Sequence, residues 1–144
     1  SAVVVDDYAH HPSEIAATLE AVSGCWPVRR RGVVFQPHRY TRTHDLLDEF
    51  AALLATEPHL VVTGVYPAGE AVIASASGAV LCERIRALGG VDPVYLEDIS
   101  LLPDKLPELV QPGDIVLTLG AGNIGRVARE LVGEQSQGTE GGIE

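Results

Sequence analysis

Three short stretches carry the side chains that could do chemistry. Asp6-Asp7-Tyr8-Ala9-His10-His11-Pro12 sets two carboxylates, a phenol and two imidazoles side by side. Gln36-Pro37-His38-Arg39-Tyr40-Thr41-Arg42 adds an imidazole and two guanidinium groups, and Gly120-Ala121-Gly122-Asn123-Ile124-Gly125 is a glycine turn. Carboxylates and imidazoles can move protons or hold a metal. Guanidinium groups pair with carboxylates or phosphates, often through two parallel hydrogen bonds. Backbone N–H groups in a turn that opens a helix attract anions. A site built from all three would take a small, polar, anionic ligand.

Each stretch also has a plainer reading. Adjacent histidines point apart and no third ligand stands at familiar spacing, so the metal reading of His10 and His11 is weak. Either histidine could instead cap a helix or fill a turn. Arg39 and Arg42 could be ordinary surface residues, and Thr43 reads as a helix N-cap. The glycine turn fits G-x-G-x-x-G, so a dinucleotide site is the alternative. Against it, the turn sits in the last strand–helix unit, with no following strand to carry the acidic ribose-binding residue expected roughly 20 positions on. The chain has no G-x-x-x-x-G-K-[ST] loop and its one lysine is Lys105, so it lacks the usual means of activating a nucleoside triphosphate by itself. It has no G-x-S-x-G elbow, and neither Cys25 nor Cys82 lies in a loop beside a histidine.

The elements that must position these stretches follow from hydrophobic periodicity. Val3–Val5 reads as a buried strand, and Ile15, Leu19 and Val22 mark one face of the next helix, with Pro12 and Glu14 suited to its first turn. Residues 32–35 form the second strand, with Arg29-Arg30-Arg31 expected as a solvated run before it. Leu46, Leu47, Phe50, Leu53 and Leu54 mark one helix, residues 60–65 a third strand, and Tyr66 to Glu70 a polar turn. Ser77 caps a helix over 78–88, 93–96 is a short strand, 105–110 a short helix, and 114–119 the last strand before a helix ending near Val132. Alternation of strand and helix about five times predicts an α/β fold with a mostly parallel sheet of five to six strands and helices on both faces. In such a sheet the three chemical stretches all fall at strand carboxyl ends, on one edge.

Composition narrows the partners. A net charge of −10 gives no basic surface for nucleic acid or an anionic membrane, and makes any local group of arginines more informative. No apolar run approaches the roughly 20 residues that span a bilayer and no signal peptide is visible, so a cytoplasmic location is expected. The two cysteines show no metal or redox spacing and read as ordinary thiols. The chain enters a strand at once, which fits a domain cut from a longer protein. Residues 133–144 are polar and glycine-rich and are expected to be a disordered tail.

The three stretches, with Tyr66-Pro67-Ala68-Gly69-Glu70, resemble the C-terminal domain of the Mur ligases of peptidoglycan synthesis, in particular those that join L-alanine to UDP-N-acetylmuramate. The resemblance covers residues 2–132 and implies a Rossmann-like three-layer domain over residues 1–132. N-terminal UDP-binding and central ATPase domains would lie outside this chain. It implies that ATP and Mg2+, held mainly by the central domain, turn the muramate carboxylate into an acyl phosphate that the L-alanine amine attacks. No catalytic or metal-ligating residue is then expected in this fragment. Asp7 is implied to contact the ATP ribose, and Tyr8 and His10 to face the sugar nucleotide and reacting groups. His38, Arg39 and Arg42 are implied to bind the L-alanine carboxylate or anionic parts of the muramyl substrate, and Ala121 to offer a backbone contact. Position 9 is often glycine in this motif; Ala9 would be strained if the turn needed positive φ.

Overall fold

The computed structural model describes residues 2–138. Five strands, β1 (Val3–Asp7), β2 (Arg31–Phe35), β3 (Leu60–Thr63), β4 (Val94–Leu96) and β5 (Ile115–Leu119), form one sheet in the order β1-β5-β2-β3-β4. Every pairing is parallel. The helices are α1 (Pro12–Cys25), α2 (Tyr40–Asp45), α3 (Leu47–Leu54), α4 (Gly78–Ala87), α5 (Leu102–Leu109) and α6 (Ile124–Gly138). This is the α/β three-layer architecture the alternating pattern calls for.

The two-residue period of the strands splits the core into two layers. Val33 and Phe35 of β2, with Ile115, Leu117 and Leu119 of β5, pack against α1, α3 and α4. Val34 and Val116 point the other way, onto α5 and α6. All five residues of β5 are buried because it lies between β1 and β2 and is covered on both faces.

Several elements differ from their sequence reading. The helix expected over 46–54 is α3, but a separate helix, α2, precedes it, and Leu46 between the two leaves helical geometry at φ −116°, ψ 20°. Thr43 is not an N-cap: it is buried inside α2 and its hydroxyl donates to the Arg39 carbonyl at 2.8 Å. A single 3-10 turn at Ile99–Leu101, capped by Asp98, leads into α5 three residues earlier than expected. The last helix continues past Val132 to Gly138, and the remainder of the expected tail, 139–144, lies outside the described residues. Cys82 is buried, which pushes its thiol up to about 11, while Cys25 is exposed. Among the described residues no helix is long and apolar enough to cross a membrane.

The Arg29-Arg30-Arg31 run is not a solvated approach to β2. Arg31 grips the buried Glu57 with two hydrogen bonds, Nε to Oε1 at 3.1 Å and Nη2 to Oε2 at 2.8 Å. Its Nη1 donates to the Leu19 carbonyl at 3.1 Å and the Ser23 hydroxyl at 2.7 Å. Arg30 donates to the Leu109 carbonyl at 2.8 Å and stands 3.4 Å from the buried Asp114 carboxylate, and Arg29 donates to the Gly113 carbonyl at 2.7 Å. The run ties α1 and α5 to the segments before β3 and β5, at the edge opposite the chemical loops. Arg31→Ala would leave Glu57 buried without its partner. Urea unfolding should show a loss of about 2–4 kcal/mol, below the fully buried range because the arginine is partly exposed.

Candidate functional site

Chain direction across the sheet makes the cleft. From β1 to β4 the connections run along the face of α1, α3 and α4. The chain then returns across the opposite face through α5, lays β5 between β1 and β2, and leaves into α6 on that opposite face. The loops after β1 and β2 therefore turn one way and the loop after β5 turns the other. Such a divergence at strand carboxyl ends opens a crevice where α/β folds hold ligands.

Hydrogen bonds between the loops fix the crevice. The Gly120 N–H donates to the Asp7 carbonyl at 3.1 Å, joining the end of β1 to the glycine turn. Gln36, at the end of β2 and 3% exposed, spans the gap to the same turn. Its Nε2 donates to Asn123 Oδ1 at 2.6 Å, and its Oε1 accepts from the Ile124 N–H at 3.2 Å, so it caps α6. The loops after β2 and β3 are joined by an isolated bridge between His38 and Tyr66, with the Arg39 N–H donating to the Tyr66 carbonyl at 2.8 Å.

Rings and charges then line up along the edge. Tyr8, 71% exposed, meets His10 edge-on at 5.5 Å; His10 lies 5.5 Å from His38; and His38 stacks on Tyr66 at 5.6 Å. His10 Nδ1 sits 2.9 Å from the Tyr8 carbonyl. A carbonyl only accepts, so the neutral form of the His10 ring carries its proton on Nδ1 and leaves Nε2 unprotonated. His38 is the opposite tautomer: its Nδ1 accepts from Arg42 Nη1 at 3.2 Å, leaving the proton on Nε2. Burial, then the charges of Arg42, His10 and Arg39, hold His38 below the ordinary 6.5. Arg39 reaches over the edge at 3.6 Å from Glu70. Glu70 is gripped by the Thr41 N–H at 3.0 Å and hydroxyl at 2.7 Å, contacts that hold its carboxyl below the usual range.

The candidate residues thus separate. His10, His38, Arg39 and Arg42 share one corner, with Tyr8 at its rim. Asp7 turns toward the α1 side of β1 and commits Oδ1 to the Ala9 N–H at 2.8 Å, whereas Asp6 faces the first turn of α6 and accepts from the Thr118 hydroxyl at 2.7 Å. Ala121 lies half-buried in the turn that Gln36 clasps. His11 caps α1: its Nδ1 accepts from the Ser13 N–H, and Glu14 reaches back to the His11 N–H at 3.2 Å. Ala9 has no positive φ and its methyl is buried in the core, so alanine is unstrained there.

The glycine turn answers the dinucleotide alternative. A side chain at Gly122 would start 2.5 Å from Tyr66 Cγ and 2.7 Å from Gln36 Oε1. The glycine is thus accounted for by the close approach of the protein's own side chains, Tyr66 and Gln36, with no ligand needed to explain it.

Comparison with known proteins shows the family. The family model for the Mur ligase, glutamate ligase domain, matches residues 1–122. The chain belongs to the Mur ligase family. It is 49% identical over 134 residues to UDP-N-acetylmuramate–L-alanine ligase of Burkholderia multivorans, covering 93% of this chain and 29% of that protein. It is 52% identical over 131 residues to the enzyme of the same name from Laribacter hongkongensis, covering 91% of this chain and 28% of that one. The crystal structure of UDP-N-acetylmuramate-alanine ligase from Thermotoga maritima superposes with a TM-score of 0.70 at 27% identity, over 96% of this chain and 27% of that one. This Mur ligase domain therefore spans less than a third of the relatives it matches.

Sequence reasoning passed over Gln36, Asn123 and Glu70 as working parts, and took Tyr66 only as part of a turn. One signal was present for Gln36, a polar residue closing an otherwise apolar strand. In this Mur ligase domain His38 should titrate below 6.5 in an NMR pH series. Its folded value is depressed, so the unfolded chain takes up this proton first. The His38 contribution to stability is then lost as pH falls below about 6.5 toward the folded value. Arg42→Ala should bring the midpoint back only part of the way, because burial is the larger cause; a midpoint above 6.5 in the unmutated domain contradicts this account.

Proposed function

We propose that this domain works in an ATP-dependent ligase that joins L-alanine to UDP-N-acetylmuramate, as the domain that presents the amino acid and closes over a central ATPase domain. One observation carries the reading. In a chain of net charge −10, Arg39 and Arg42 stand beside a neutral His38 at the carboxyl edge of the sheet. That corner suits a carboxylate. The names of relatives about half identical to this chain supply the substrate class.

In this reading His38, Arg39 and Arg42 hold the carboxylate of L-alanine or an anionic part of the muramyl substrate. The Ala121 backbone touches the amino acid, and Tyr8 and His10 face the sugar nucleotide and the reacting groups. Asp7 meets the ATP ribose; of its two oxygens, Oδ1 is the one already engaged, by Ala9. ATP and Mg2+ are held mainly outside this chain, where the cation offsets phosphate charge during transfer to the muramate carboxylate. The amine of L-alanine then attacks the acyl carbon, and inorganic phosphate leaves. Closure of the domain keeps water from the acyl phosphate, which hydrolyses readily. Chemistry driven by ATP places such an enzyme in the cytoplasm.

Two measurements test the proposal. In the full-length enzyme, Arg39→Ala should lower kcat/KM for L-alanine about 10- to 100-fold, the loss expected of a charge-assisted contact; unchanged kinetics would remove Arg39 from the site. The 144-residue chain alone should release no phosphate that depends on both ATP and L-alanine, and release by the isolated chain would overturn the division of labour.

A further inference from the structure

Free α-amino acids at neutral pH are zwitterions, with an anion and a cation on neighbouring carbons. Arginines account for the anion. The corner also holds a carboxylate that the reading above leaves unused. Glu70 Oε2 lies 3.6 Å from Arg39 Nη1, longer than the roughly 2.7–2.9 Å of a direct charge-assisted hydrogen bond. Arg39 therefore keeps its donors for another partner. Glu70 is instead fixed from the side, its two oxygens accepting from the Thr41 N–H and hydroxyl. Each carboxylate oxygen can accept more than one hydrogen bond, so both retain capacity.

The frame around this pair is stiff. The Glu70 N–H donates to the Pro67 carbonyl at 3.0 Å, and the Tyr66 N–H donates to the Pro37 carbonyl at 2.9 Å. Arg39 itself holds φ 72°, an unfavourable conformation for a residue with a side chain, and is kept there by its bond to the Tyr66 carbonyl. From that position the Arg39 side chain, 44% exposed, reaches Glu70.

We propose that Glu70 is the ammonium subsite for the incoming amino acid, forming with Arg39 a paired complement to a zwitterion. The inference rests on the amino-acid-presenting role proposed above and deepens it. The fixed anion selects amino acids over simple carboxylic acids, and holds the ammonium on the Glu70 side of the carboxylate.

The test uses the full-length enzyme, with L-alanine as substrate and propionate, which lacks the amine, as a competitive inhibitor. Glu70→Gln keeps the shape and removes the charge. It should raise KM for L-alanine about tenfold or more, with kcat moving less. The KM values for ATP and UDP-N-acetylmuramate, and the inhibition constant of propionate, should stay within about twofold. Thr41→Val, which removes the hydroxyl that holds Glu70 Oε2 and leaves the backbone N–H on Oε1, should move KM for L-alanine in the same direction by less. A KM for L-alanine unchanged by Glu70→Gln overturns the inference. So does a parallel weakening of propionate, which would make Glu70 a support for the loop and no more. Wild-type enzyme without amino-acid-dependent turnover would instead remove the functional reading beneath it.

Discussion

A buried amide has to satisfy both of its ends, and in this domain that requirement falls on Gln36. Its NH2 needs an acceptor and its oxygen a donor, because water does not reach them. Asn123 and the first free N–H of α6 provide them. The bond pair fixes how far the end of β2 stands from the turn after β5. It thereby sets the width of the crevice between loops that leave the sheet in opposite directions. Gly122 follows from the same constraint, since any side chain there would collide with Gln36 and Tyr66. His38 begins its loop two residues beyond Gln36 and inherits that position.

Charge is distributed with equal economy. The chain is strongly acidic, and five of its arginines fall into two groups at opposite edges of the sheet. Arg29, Arg30 and Arg31 spend their donors on carbonyls and on the buried carboxylates of Glu57 and Asp114. Arg39 and Arg42 have looser partners, a carboxylate at 3.6 Å and an imidazole at 3.2 Å. The same residue type thus serves as internal fastening at one edge and stands more loosely held at the other. The difference lies in whether a buried anion is already within reach.

Much of this was legible in the sequence, and the rest failed for physical reasons. The apolar rows of α1 and of 46–54 and the β-branched strands report burial, so the architecture could be read from them. Burial does not report neighbours, so nothing in 114–119 revealed that β5 lies between β1 and β2. The histidine and arginine loops stood out by residue type. Gln36 and Glu70 did not, because their roles depend on partners 87 and 29 positions away. The arginine run before β2 misled for the same reason: its partners, Glu57 and Asp114, are buried only once the chain has folded.

The aromatic row along the edge has a mechanical consequence. Tyr66 stacks on His38 with one face and closes on Gly122 near its base, while the backbone bridge beside it joins its loop to that of His38. Loops from β2, β3 and β5 are thereby welded into a single plate. A plate of this kind can tilt as one body but has little freedom to reshape, so its ordering entropy is lost when the domain folds and not when it meets its target. The corner shared by His38 and Arg39 would then keep one geometry whether or not a ligand occupies it.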